Sequence, residues 1–150
     1  QWGSGNLPLI MANHKIQTKW MDLNLSNGYK VSLWDIIADG GTENSWVTIL
    51  SPDGVHIISP MIPLAENESD YWYSEKTGNY YATKYIVRMP AVNTEIKVSV
   101  YDGIPQQEAV SVSGYNRYEA HCDCGGVFMG QQVTGFCCVE LVGAFGAAKQ

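Results

Sequence analysis

Turn signals recur along this chain at intervals of about ten residues, and that spacing leaves room for strands and little else. Asn27-Gly28, Pro52-Asp53-Gly54, Thr77-Gly78-Asn79, Asp102-Gly103 and Gly125-Gly126 are the breaks. Asn-Gly and Asp-Gly supply the positive φ angles that tight hairpins need. Between the breaks lie short runs rich in β-branched and aromatic residues: IQTKWMDLNL, YKVSLWDII, WVTIL, VHIIS, TKYIVRMP, TEIKVSVY, EAVSVS, RYEAHCD and GFCCVELV. Lys97-Val98-Ser99-Val100 and Ala109-Val110-Ser111-Val112 alternate as half-buried antiparallel strands do. No window carries an apolar stripe of helical period behind a capping residue. Segment 60–70, PMIPLAENESD, is the one candidate for a long loop or short helix, and its prolines favour loop. About nine strands at this spacing predict one all-β domain, a sandwich or a closed antiparallel barrel, preceded by an extension over residues 1–15.

The 150 residues are enough to bury a core without staples. Apolar residues make up 45%, yet no stretch is long and apolar enough to span a bilayer. A net charge of −6, with no basic stripe, argues against nucleic acid or an anionic membrane surface as partner. Nine tyrosines and five tryptophans suit either an aromatic-lined pocket or a β-rich core. The chain opens QWGSGNLPL, without an initiator methionine, and carries the sequons Asn24-Leu25-Ser26 and Asn67-Glu68-Ser69. Together these favour a secretory or extracellular protein over a cytoplasmic one.

All four cysteines fall in one stretch, RYEAHCDCGGVFMGQQVTGFCCVELVGAF, as Cys122, Cys124, Cys137 and Cys138. On strands, Cys122 and Cys124 share a face while Cys137 and Cys138 face opposite ways, so at most three converge. The chelating spacings of a zinc site and the redox C-x-x-C are both absent, which argues against metal. A hairpin of RYEAHCDC and GFCCVELV, joined through GGVFMGQQVT, brings the two pairs within disulfide range. One disulfide and four packed thiols both fit that hairpin. The first of these strands also sets Glu119, His121 and Asp123 on one face, opposite Tyr118, Ala120 and Cys122. Facing a cavity, Glu119 and His121 are an acid–base pair; facing solvent, they are an ordinary wet strand face. His14 and His56 have no matching partner, and no Ser-His-Asp order, nucleophile elbow, P-loop or dinucleotide fingerprint occurs.

Three stretches in fixed order carry a family resemblance: WMDLNLSNGYKVSLWDI, YWYSEKTGNYYATKYIVRMP and YEAHCDCGGVFMGQQVTGFCCVELVGAF. They resemble the lipocalin-like family of hydroxyneurosporene synthase, the carotenoid hydratases, which also holds kievitone hydratase-like proteins and fungal decalin-forming Diels–Alderases. The resemblance spans about residues 16–145 and matches the C-terminal barrel of these usually two-barrel proteins. Ala120 stands where the family usually has Gly, and Cys137 and Cys138 fill positions more often aromatic or aliphatic.

What the resemblance implies is a single antiparallel barrel of about eight to ten strands, a cup for one small apolar ligand. It implies a cofactor-independent cyclase of secondary metabolism, Diels–Alderase-like, that holds a polyketide-type substrate in a reactive conformer. A hydratase or dehydratase on the same barrel is the alternative, with Glu119, His121 and Asp35 as acid–base candidates. A carrier of lipophilic ligands is the third reading. Trp20, Trp34, Tyr85 and Phe136 are the expected aromatic wall of the cup. Lys84 and Arg88 share the face opposite Tyr85, and Glu140 is expected to be a structural partner of a backbone, Lys or Arg group rather than a catalyst. Neither cofactor nor metal is implied. With the family's first barrel missing, a homo- or heterodimer with another barrel is expected.

Overall fold

The computed structural model describes residues 16–38, 41, 43–101, 107–110 and 116–146. Ten strands form one antiparallel sheet: β1 (Gln17–Leu25), β2 (Lys30–Ile37), β3 (Glu43–Leu50), β4 (His56–Pro60), β5 (Glu68–Tyr73), β6 (Tyr80–Met89), β7 (Thr94–Val100), β8 (Gln107–Ala109), β9 (Arg117–Phe128) and β10 (Gln131–Val142). Their order is β4-β3-β2-β1-β10-β9-β7-β6-β5, with β8 laid on β9. No described helix is long and apolar enough to cross a membrane.

The alternation seen in the sequence becomes a sheet with one dry face. Met21, Leu23, Leu33, Val47, Ile49, Val87, Ile96, Tyr118, Cys137 and Leu141, drawn from seven strands, are all 0–1% exposed. They form one cluster, so the sheet is rolled around its own apolar face. Each such side chain contributes roughly 1.5–3 kcal/mol on leaving water.

The edge strands β4 and β5 are not hydrogen-bonded to each other. They are consecutive in the chain, and the segment between them closes the gap. Ile62 N–H donates to the Arg88 carbonyl (3.0 Å), and Ile86 N–H donates to the Asn67 carbonyl (2.9 Å). Leu64, at the start of a 3-10 turn over Leu64–Glu66, donates its N–H to Asp35 Oδ2 (2.9 Å). Inside, Lys19 Nζ on β1 reaches Glu68 Oε2 on β5 (2.5 Å) and ties the middle of the sheet to its edge.

Two boundaries differ from the sequence reading. Segment 60–70 is loop and 3-10 turn only as far as Asn67, and then becomes β5. The closing hairpin has no long connection: β9 and β10 run on to a two-residue turn at Met129-Gly130, both with positive φ (50° and 80°). Gly125-Gly126 is therefore strand, not turn. A Cβ on Gly126 would lie 2.4 Å from the Glu95 carbonyl oxygen, so glycine is needed there for β7 to approach β9. The run EAVSVS is strand over Gln107–Ala109, and residues 111–115 lie outside the described residues, as does Asp102-Gly103.

Candidate functional site

Among the described residues the inner face of the sheet is a packed apolar cluster. Tyr85, expected in the wall, does face inward, but it is 2% exposed and donates its hydroxyl to the Ala82 carbonyl (2.6 Å). Asp35 is interior as well and fully buried, accepting from Ser45 Oγ (2.8 Å) and the Leu64 N–H. Both of its oxygens are engaged in holding β2 to β3 and to the closing segment, and it lies inside, on the face opposite Glu119 and His121. At one end of the core Trp72, Tyr81 and Tyr118 stack at 4.7–5.9 Å, backed by Phe145. Burial, then the hydrogen bond to Glu108, pushes the Tyr81 hydroxyl up to about 12.

Three cysteines converge in the interior, as parity allows. Cys122 pairs with Cys137 across β9 and β10, and Cys137 shares thiol hydrogen bonds with Cys122 and Cys124. All four cysteines are free thiols, and no group of ligands among the described residues is arranged to hold a metal ion. The hydrogen bond from Cys137 holds the Cys124 thiol below its ordinary range; the Cys137 thiol is itself pushed far up.

Glu119 and His121 face outward, and so do Trp20, Trp34 and Phe136. The expectation that these three aromatics wall the lumen is thereby corrected. The parity of β1 gives its inner face to Lys19, Met21, Leu23 and Leu25, which leaves Trp20 outside. Trp34 is 36% and Phe136 60% exposed. Outward placement nonetheless brings Trp20, Glu119 and His121 together. They line a groove of about 270 Å³ on the outer face of β1, β10 and β9, bounded by Val100, Tyr101 and Gln107, with the strand backbone at Ala120 and Val139 beneath it.

Strand register builds this groove. Trp20 lies opposite Glu140, and Glu140 opposite Glu119. One step along, Asp22 lies opposite Cys138, and Cys138 opposite His121. Directly opposed side chains share a face and approach within about 5.5 Å, so three carboxyls, one imidazole and one thiol meet in one depression. Cys138 Sγ lies 3.7 Å from His121 Nδ1. The Cys138 thiol is pushed up by burial and by the nearby acids, so it rests protonated.

The carboxyl pair is the chemically distinctive part. Burial holds the Glu140 carboxyl above its ordinary value, and a hydrogen bond with Glu119 adds to the rise against the opposing pull of Arg117. Arg117 is placed asymmetrically: its Nε is 3.1 Å from Glu119 Oε1 and its NH1 3.7 Å from Glu140 Oε2. The cation lies nearer Glu119, while the more sheltered Glu140 has its carboxyl raised, an arrangement in which two carboxyls can divide acid and base roles. Glu140 does pair with an arginine, as expected from the sequence, but its position across from Glu119 was not legible there. On the far side of β8, Arg117 and Glu119 also border an open cleft of about 660 Å³ with Trp72 and Lys76.

No family model and no curated protein matches this chain. Solved structures do. Kievitone hydratase from Nectria haematococca superposes over 88% of this chain and 40% of its own, with a TM-score of 0.68 and 21% identity. A protein assigned as AttH from Nitrosomonas europaea superposes over 85% and 39%, with a TM-score of 0.64 and 16% identity. The fold is lipocalin-like. At these identities the likeness is one of fold, and the chain spans about 40% of the length of these proteins.

Proposed function

We propose that the outer groove of this lipocalin-like sheet is the acid–base centre of a hydratase or dehydratase acting on a carbon–carbon double bond of a neutral, apolar molecule. The observation that carries the reading is the directly opposed Glu119–Glu140 pair beside Trp20, with burial raising the Glu140 carboxyl above its ordinary value. In the hydration direction the Glu140 carboxyl gives its proton to one alkene carbon. A water attacks the other carbon as it develops positive charge, and passes a proton to His121 or Glu119. Dehydration is the reverse. Carboxylates around the groove stabilise the developing cation. General acid–base catalysis of this kind contributes about 10²–10⁴-fold. The fold shared with kievitone hydratase supports this reading over the cyclase, which draws only on the aromatic lining.

The test is incubation with a panel of alkenes and tertiary allylic alcohols in H₂¹⁸O and D₂O, followed by mass spectrometry. A hydratase incorporates one oxygen and one non-exchanging deuterium, and Glu140→Gln lowers the rate at least about 100-fold. A cyclised product carrying neither label would establish the cyclase instead. Recovery of every compound unaltered but bound would make the protein a carrier.

A further inference from the structure

The row of side chains that builds the groove does not stop at Trp20. Across the outer face, Trp20 lies opposite Trp34 on β2, and Trp34 opposite Trp46 on β3. The ring centroids are 6.2 Å apart for the first pair and 6.3 Å for the second, the second pair within 13° of parallel. Trp34 and Trp46 are each 36% exposed, among the largest apolar side chains that the described residues show to solvent. Three tryptophans in one transverse line, ending on a carboxyl pair, are more than core packing requires, because the core lies on the other face.

We infer that Trp34 and Trp46 form a track that binds the distal part of the groove's own ligand, and that this ligand is a neutral, extended, π-rich molecule. The inference rests on the reading of the groove as the reacting centre. Two observations point to this occupant. The groove alone, at about 270 Å³, falls below the 300–1,000 Å³ of sites that enclose a whole ligand, so a ligand seated there overhangs. Among the described residues a row of indole rings leads away from the groove, since Trp20 belongs both to the groove and to the row. Neighbouring strands are about 4.8 Å apart, so three steps from Glu140 to Trp46 span roughly 14 Å. The charge of the groove sets the second requirement: Asp22 and Glu119 disfavour a carboxylate or sulfate on the ligand, and the row of indole rings offers it an apolar surface, so the pair of features favours a neutral aromatic molecule over an anionic one.

The probe is 1,6-diphenylhexatriene, a neutral rod long enough to reach from the groove to Trp46, followed by its own fluorescence anisotropy. Naphthalene, followed by NMR of the His121 ring protons, serves as the short probe that fits the groove alone. Trp34→Ala and Trp46→Ala are each expected to weaken the long probe about three- to tenfold, the size of one aromatic contact, and to leave naphthalene unchanged. Trp46→Phe should restore most of the affinity, and a carboxylated derivative of the rod should bind more weakly than the rod. Unchanged affinity of the long probe in both alanine variants overturns the track. So does no binding by the wild type, and so does a parallel loss for both probes, which would make the tryptophans mere supports of the groove. Failure of the hydratase reading leaves these binding results standing, and failure of the track leaves label incorporation into short alkenes intact.

Discussion

The two faces of the same three strands differ more than any two strands of the molecule do. Along β1, β9 and β10 the inner face holds Lys19, Met21, Leu23, Tyr118, Cys122, Cys137 and Val139, with exposures of 0–3%. The outer face of the same residues' neighbours holds Trp20, Asp22, Glu119, His121, Cys138 and Glu140. A period of two puts every second residue in a different solvent, so one strand serves a core and a site at once. The inner polar groups are consumed in structure: Lys19 is tied to Glu68 and Asp35 to Ser45 and Leu64. The outer ones border an open groove and keep the capacity to exchange protons. On this sheet, depth of burial marks what holds the fold together, and the shallow face carries the chemistry.

The largest expected effect that sharpens this contrast comes from Lys19→Met. It leaves Glu68, 12% exposed, without its cation inside the closing gap. Denaturant unfolding should show a loss of about 3–5 kcal/mol, most of it recovered by adding Glu68→Leu. A loss below about 1 kcal/mol would mean that the ion pair is not what fastens β1 to β5.

Glu140→Gln should do the reverse, lowering hydration at least about 100-fold, close to ~2.7 kcal/mol of barrier, while the fold stays intact. The pH dependence has a definite sign. A carboxyl whose folded pKa is raised supports folding fully below its unfolded value and loses that support as pH rises through the folded value. Wild-type stability should thus decline over that window, and Glu140→Gln should flatten the decline. The hydration rate should fall with rising pH through the same window, because the acid is then lost.

Arg117→Gln removes the one neighbour that pulls the Glu140 value down. The falling limb of the pH–rate profile should then move to higher pH, a smaller effect than loss of the acid itself. An unmoved limb would detach Glu140 from the proton transfer. The smallest expected change is at Asp123, outward on β9 but not among the residues lining the groove. Asp123→Ala should alter stability by no more than about 0.5 kcal/mol and leave activity unchanged.

Much of the fold was legible because its signals are local. Asn27-Gly28 and Pro52-Asp53-Gly54 turn the chain as their residue types require, with Gly28 and Gly54 at φ of 87° and 89°. The alternation of β7 is the alternation of Thr94, Ile96 and Val98 into the core. The pairing of Glu119 with His121 on one face was also read correctly from spacing. Which face looks inward is a different matter, since it depends on how the whole sheet rolls. The barrel resemblance and strand parity put Trp20 and Trp34 in a lumen, yet the inner face is occupied by Tyr81, Tyr85 and Phe128, each 0–2% exposed. Glu140 was hidden for a simpler reason. The hairpin of RYEAHCDC and GFCCVELV was read with its register open, and the turn at Met129-Gly130 fixes that register with Glu140 across from Glu119.

The most direct test of chemistry on the outer face uses Cys138, the one cysteine not buried and a lining residue of the groove. Native protein is treated with a maleimide, the modified thiols are mapped by peptide mass spectrometry, and the rate of label incorporation from H₂¹⁸O is measured before and after. Modification confined to Cys138, with incorporation abolished and the fold retained, is the predicted result. Undiminished incorporation by protein fully modified at Cys138 would place the reaction elsewhere and contradict the account.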